Sequence, residues 1–366
     1  MCGRTACTLA PDDLCKACKF TDKNGKTQKP AWRDATNGKS YFPSYNIAPG
    51  AHTPVLMSSK HVSDLGTDIV SSTRVIQPML WGLIPSWHKG TVGSKAYETN
   101  NCRAESMLEK MTYKVPLQKG RRCVILAEGF YEWKRDKNTK QPYYIYFPEN
   151  KSLFTDTRNN DDIKADQSCV KKEDTNDNNK NKIDEVKSEI KHDRKDEKSY
   201  PRLLTMAGVF DVWKPSQDSE PVYSYSVITV ESSPVMSTIH HRMPALLTTD
   251  EAIDNWLNFG DVPLNKASKL IHAVTCIESH QVSNVVNNSR NNQPECIKKI
   301  DPSKPKKSAG SLFMSAWLSS SQKVKVESST KIKAEGESST KVKVEGEPLT
   351  KDKVEGEPPT KKFKNS

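Results

Sequence analysis

The chain has 366 residues, a mean hydropathy of −0.74, 28% charged residues and a formal net charge of +11. That length suffices for a sizeable hydrophobic core, but the composition is too polar for one compact globule throughout, so part of the chain is expected to be disordered. No apolar run approaches the roughly 18 residues of a membrane span, and the opening MCGRTACTLAPDD lacks the apolar stretch of a secretory signal. The nine cysteines are scattered without a small-domain framework and read as reduced intracellular thiols.

In chain order, the first predicted element is a short helix over residues 12–18. Strands follow over 79–84, 122–127 and 143–147, each short, rich in β-branched or aromatic residues and bounded by Gly, Pro or charge. Pro78 before the first of them suits a strand start or a sheet edge. Residues 156–199 then form a polar insertion with a net charge of −2, too poor in apolar side chains to offset its own ordering entropy. Two more strands are predicted over 203–210 and 223–230. Thr248, Thr249, Asp250 and Glu251 read as a capping box opening a helix over 252–257. Another helix is predicted over 265–272, and an isolated amphipathic turn over 311–318.

From residue 319 the chain repeats a decapeptide of Lys, Glu and Val with a net charge of +3. A short period in a polar tract means a low-complexity tail, since no apolar face exists to stack. The basic charge therefore sits on the remainder, where a polyanion such as nucleic acid would be met. The two halves flanking the insertion do not each hold a self-sufficient set of strands. The expected architecture is one α+β domain over residues 2–300, interrupted by the disordered insertion 156–199. Its core is β-rich and partly barrel-like, with peripheral helices, and a disordered tail follows over 301–366.

The most informative position chemically is the second. Initiator methionine is normally removed before a small residue, and removal leaves Cys2 with a free α-amine and a thiol on adjacent carbons. Their ordinary pKa values, about 8 and about 8.5, make both partly nucleophilic near neutrality. A 1,2-aminothiol condenses with an aldehyde to an imine, which the thiol closes to a durable five-membered thiazolidine. Reactive N-terminal nucleophiles are an established catalytic class. Taken alone, a cysteine at this position is as well explained by chance.

Four further blocks accompany MCGR at 1–4. They are PSYNIAP at 43–49, WGLIPSW at 81–87, NCRAE at 101–105 with AEGFYEW at 127–133, and HHRMP at 240–244. In these blocks, in this order, the chain resembles the SRAP (SOS-response-associated peptidase) family over roughly residues 2–295. The resemblance implies binding of single-stranded DNA and a self-crosslink through Cys2 to the ring-opened aldehyde of an abasic site. It implies Asn101 as the holder of the α-amine, Glu132 as the carboxylate beside it, and His240 as the group that protonates the sugar ring oxygen and assists reversal. It further implies Arg4, Arg103 and Arg242 on phosphates, Trp81 stacked on a base, and Asn46 and Pro49 lining the same channel.

Other residues carry plainer expectations. Trp87 and His241 read as structural, and Cys102 and Cys123 as small core hydrophobes. Cys15 and Cys18 have zinc-ligand spacing, but no second pair follows at a suitable interval, so a short helix and no metal are expected. No cofactor is expected. In the tail, the Val-Lys-Val-Glu type segments at 324–327, 332–335 and 342–345 fit a SUMO acceptor pattern and equally a compositional repeat. Modification by SUMO or ubiquitin machinery is one expected partnership. Lys361–Lys364 fits a nuclear import signal. Leu312, Phe313, Ala316, Trp317 and Leu318 form an apolar helical face that would need a partner groove, such as that of the replication sliding clamp.

The leading expectation is a monomeric nuclear protein at replication forks. It would capture abasic sites in single strands as DNA–protein crosslinks and slowly reverse them. Two alternatives remain. A cysteine-type peptidase, acting on its own amino terminus, is one. A non-catalytic reader of modified bases in duplex DNA is the other, and it would need base-edge contacts.

Overall fold

The computed structural model describes residues 3–22, 24–62, 73–90, 99–137, 139–148, 200–301 and 303. Contacts divide the chain into Met1–Lys304 and Pro305–Ser366, and every described residue falls in the first unit. Cys2, the insertion 156–199, the apolar face at 312–318 and the tail repeats lie outside the described residues.

The first strands are β1 (Thr5–Cys7), β2 (Phe20–Thr21), β3 (Thr27–Gln28), β4 (Ala31–Trp32), β5 (Ser44–Ile47) and β6 (His52–Ser58). Next come β7 (Arg74–Trp81), β8 (Asn101–Arg103), β9 (Arg122–Ala127), β10 (Gly129–Asp136) and β11 (Thr139–Tyr146). Beyond the insertion lie β12 (Leu204–Trp213), β13 (Val222–Glu231), β14 (Arg242–Pro244) and β15 (Glu278–Gln281). The helices are α1 (Pro11–Ala17), α2 (Met111–Gln118), α3 (Pro234–Ser237), α4 (Asp250–Leu257) and α5 (Leu264–Ala267). None is long and apolar enough to cross a membrane.

Five strands close into a barrel. The antiparallel path β13–β12–β9–β6–β7 returns to its start where β7 pairs in parallel with β13, Leu80 against Ser224 and Trp81 against Tyr225. Closure removes both sheet edges, and β7, β9 and β12 are buried along nearly their whole length, so they read as near-continuous apolar runs. A second sheet, β15–β11–β10–β1–β5, is joined to the barrel through β9 and β10, which only Glu128 separates. The expected α+β class with a barrel-like β core is what the chain forms.

β10 faces two cores, and strand alternation decides which side chain meets which. Phe130 packs into the main core, whereas Tyr131 and Trp133 pack with Ala6, Tyr144, Val286 and Cys296 in a smaller one. Glu132 falls on the Phe130 side. Gly129 is required where β10 begins, because a Cβ there would sit 2.2 Å from the Tyr144 ring.

Several boundaries differ from expectation. The strand predicted over 79–84 is β7, starting at Arg74 and ending at Trp81, and Pro78 lies inside it. Pro78 is tolerated because it faces Pro54 across the β6–β7 pair, at a point where neither outer neighbour is registered. β4 covers Val75 and Ile76, and β13 covers Leu80 and Trp81. α4 is capped by Thr249, whose hydroxyl accepts from the Ala252 N–H, so the predicted box from Thr248 to Glu251 is out of register by one residue. The helix expected over 265–272 is α5 followed by a 3-10 turn, Ser268–Leu270. α2 was not expected, since Pro116 inside it argues against a helix in sequence.

The two tryptophans of the WGLIPSW block exchange their expected places. Trp81 is fully buried on β7, its indole N–H donating to Asn100 O at 3.0 Å and its ring stacked on Tyr225. Gly82, at φ 128°, then turns the chain out of the barrel, and Trp87 in the following loop is 58% exposed. Trp81 is therefore packed in the core in this structure, and Trp87 is not. Trp81→Ala should cost about 3–5 kcal/mol in chemical denaturation. Trp87→Ala should stay within about 0.5 kcal/mol.

Candidate active site

The described residues nearest the amino terminus run along β10. Thr5 pairs with Phe130 and Ala6 with Gly129, and the Tyr131 N–H donates to Arg4 O at 2.9 Å. This antiparallel register carries Gly3 toward Glu132. Glu132 itself is 4% exposed, on the barrel-facing side of β10 and opposite Tyr143 of β11. A buried carboxylate in an otherwise apolar block is costly unless it is used or partnered.

His240 lies between α3 and β14. Its Nδ1 accepts from the Arg242 N–H at 3.0 Å, and its ring stacks on His241 with centroids 4.4 Å apart. Burial holds the imidazole below its ordinary pKa, and the nearby Glu132 carboxylate opposes that shift by favouring the imidazolium. Glu132, on β10, and His240, in the segment leading into β14, are thus in electrostatic reach of each other. Because Nδ1 is occupied by the Arg242 backbone, proton exchange with a substrate would run through Nε2.

Asn101 opens β8, which pairs in parallel with β13 through Val227, Ile228 and Thr229. Its side chain is buried, and its carbonyl accepts from the Tyr113 hydroxyl of α2 at 3.2 Å. Arg103 at the other end of β8 is exposed. Arg242 is buried instead. Its two terminal nitrogens donate to Glu105 at 2.5 and 3.0 Å, and one also donates to Thr229 O at 2.6 Å. Of the three expected phosphate ligands, Arg103 is exposed, Arg4 half-buried and Arg242 buried.

Arg4 and Asn46 come together on the other face of β10. The Arg4 guanidinium donates to Asn46 Oδ1 at 2.6 Å and to Val286 O at 2.8 Å, and sits 5.9 Å from the Trp133 ring. The Asn46 amide donates to the carbonyls of Val286, Asn288 and Asn291, pinning that loop. Pro49 borders a cleft of about 430 Å³ beside Asn46, Phe42 and Asn292. Glu105 and Trp133 were not singled out from sequence. Both lie inside blocks that were, NCRAE and AEGFYEW, and the signal for Glu105 was an acid next to a predicted phosphate-binding arginine.

All the described cysteines but Cys276 are buried. Burial pushes the Cys7 thiol up to about 12 and the Cys15 thiol up to about 11, and raises those of Cys18, Cys102, Cys123 and Cys296. Cys15 lies on α1 and Cys18 caps it, as the spacing predicted. Cys102 and Cys123 are core residues, as expected.

A profile of the family described as SOS response associated peptidase (SRAP) matches residues 1–289. The chain belongs to the SRAP family. Among curated relatives, the abasic site processing protein HMCES of Xenopus tropicalis is 48% identical over 332 residues, 90% of this chain and 88% of that one. Its namesake in Rattus norvegicus is 45% identical, over 90% of this chain and 86% of the relative. The abasic site processing protein YoqW of Bacillus subtilis is 29% identical over 70% of this chain and 86% of its own length. A solved protein from Bacteroides thetaiotaomicron shares the fold at a TM-score of 0.53 and 19% identity, covering 82% of this chain and all of that one. The SRAP match spans the barrel, the second sheet and every residue of the candidate site.

Proposed function

We propose that this chain captures abasic sites in single-stranded DNA as a covalent thiazolidine through Cys2, with Met1 removed, and slowly releases them. The observation that carries the reading is the Glu132–His240 pair, toward which the amino-terminal strand runs, in a chain whose family relatives are named abasic site processing proteins.

The chemistry balances without a cofactor. Protonation of the sugar ring oxygen by His240 breaks its bond to the anomeric carbon, and loss of the anomeric hydroxyl proton to water frees the aldehyde. The Cys2 amine adds to that carbon and one water leaves, giving an imine. The thiol then adds across the C=N bond, the sulfur–carbon bond forms, and the nitrogen gains a proton. Nothing is oxidised. Near neutrality the amine is mostly protonated, so Glu132 takes its proton before addition and returns one as the ring closes. Asn101 orients the amine. On release the same steps run backward, with His240 serving the sugar oxygen.

The test is incubation of the purified protein with a single strand containing one abasic site, followed by denaturing electrophoresis. A band that survives denaturation and disappears in Cys2→Ala supports the reading. Peptide release without a band supports a self-acting peptidase, and affinity for intact duplex without a band supports a base reader.

Phosphate contacts give a second expectation. Arg103→Ala should flatten the salt dependence of single-strand binding by about 0.7 in log–log slope, equally for every sequence. Arg4 and Arg242 reach a phosphate only by exchanging the partners they now hold, so their Ala variants should lose stability as well as affinity.

The position of His240 sets a pH dependence. Its acid form is the proton donor, and burial lowers the pKa, so release should accelerate as pH falls through the range below about 6.5. A chase of preformed crosslink with excess abasic competitor measures this. His240→Ala should release more slowly and lose that acid limb. Release at the wild-type rate with the limb intact would mean that Glu132 or water supplies the proton.

A further inference from the structure

We propose that Glu105 is a positioning residue for His240, acting through Arg242, and so sets where the proton donor stands relative to Glu132. The proposal rests on the reading of the site given above and adds to it a residue that touches neither DNA nor the reacting atoms.

Glu105 lies in a 3-10 turn, Ala104–Ser106, directly after β8. β8 and β14 occupy opposite edges of β13: Thr229 registers with Arg103 on one side and with Pro244 on the other. Among the described residues β8 and β14 do not pair with each other. The Glu105–Arg242 pair links them across β13 at Thr229, with the two carboxylate oxygens on the two terminal nitrogens of the guanidinium. Such two-point pairing fixes orientation as well as distance. One strand-plus-turn unit thereby carries Asn101 at its start and grips, four residues later, the segment that carries His240.

The grip passes to the imidazole through the backbone of the same arginine. His240 Nδ1 lies 3.0 Å from Arg242 N and 3.2 Å from Arg242 O. A neutral ring accepts from that N–H, and a protonated ring donates to that carbonyl. One placement of the residue 242 backbone therefore serves both protonation states, and the ring can gain and lose a proton without swinging away. The arrangement depends on where residue 242 is held. Its side chain is held by Glu105 and Thr229.

The Glu105 side chain is 55% exposed whereas that of Arg242 is 8% exposed. Loss of the carboxylate lets water reach the guanidinium, so the fold should survive the substitution while the placement loosens. An exposed carboxylate has no packing reason to be here, and its hydrogen bonds to Arg242 lower its pKa from the ordinary value.

The experiment uses the full chain and the chase described above, with an abasic single strand as probe. Glu105→Gln keeps the size of the side chain but can no longer accept from both nitrogens. It should slow release by about tenfold, the scale of a coupled pair of neighbouring residues. Glu105→Asp, which keeps the charge and both acceptors, should recover most of that loss. The decisive arm is the double variant. In a His240→Ala background, Glu105→Gln should change release no further, because the residue it positions is gone. A general structural role would slow release equally in both backgrounds, and that result overturns the proposal. So does a Glu105→Gln protein that releases at the wild-type rate. A wild-type protein that forms no crosslink at all would instead overturn the reading of the site, and this proposal with it.

Discussion

Cys2→Ala should abolish the denaturation-resistant crosslink and leave binding of undamaged single strands unchanged. Thiazolidine closure needs a thiol on the carbon next to the amine, and no other described cysteine can substitute. All but Cys276 of the described ones are buried, and the raised thiol pKa values of Cys7, Cys15, Cys18, Cys102, Cys123 and Cys296 keep them protonated at neutral pH. Cys2→Ser should stop at an imine, which dilution or denaturation hydrolyses. One residue inserted before Cys2 should be as damaging as Cys2→Ala, because it converts the amine to an amide that cannot condense. Binding should persist in all three variants, because phosphates are held elsewhere and their contacts are independent of the covalent step. A filter-binding measurement beside the denaturing gel separates the two properties. An unchanged yield of stable adduct from Cys2→Ala would remove the mechanism.

Glu132→Gln should slow capture by about 10²–10⁴-fold, the usual contribution of a positioned acid–base group. The substitution is nearly isosteric, and it removes the proton acceptor without opening a cavity beside Phe130. It also removes the negative charge that opposes the downward shift of the His240 pKa. The acid limb of release should therefore move to still lower pH, since an imidazole with less carboxylate support is harder to protonate. Capture and release are thus expected to respond differently. Glu132→Gln acts mainly on the forward rate, and His240→Ala mainly on the return. Single-turnover time courses with an abasic strand resolve both. Equal slowing of the two directions by both variants, with undamaged-strand affinity lost, would indicate misfolding instead.

Legibility of the fold and the site in sequence followed the range of the interactions concerned. β9, β12 and β13 were readable within a few residues because their apolar, β-branched and aromatic content is a matter of local composition. β1, β5, β8 and β14 were not. They are three or four residues long and exist only because a partner strand already lies beside them. Closure of the barrel rests on two residue pairs between β7 and β13, a contact that no local pattern encodes.

The candidate site divides the same way. Glu132 stood out because an acid interrupts FYEW, and its burial follows from strand alternation beside Phe130. The two arginines flanking that site look alike in sequence. Arg103 is exposed at the end of its strand, whereas Arg242 meets Glu105 from across β13 and is buried by that contact. Trp81 and Trp87 are six positions apart in one block. Only the turn at Gly82 decides which of them enters the core. Arg4 and Asn46 hydrogen-bond each other and Val286 on the face of β10 away from Glu132, a pairing no local pattern encodes.

The most direct measurement is a peptide map of the crosslinked protein after nuclease trimming of the DNA. The account predicts a single modified peptide beginning at Cys2. Its mass should equal peptide plus sugar remnant less one water, with no thiol available to an alkylating reagent and no primary α-amine remaining. A remnant attached to a lysine, or to Cys2 with its thiol still alkylatable, would contradict it.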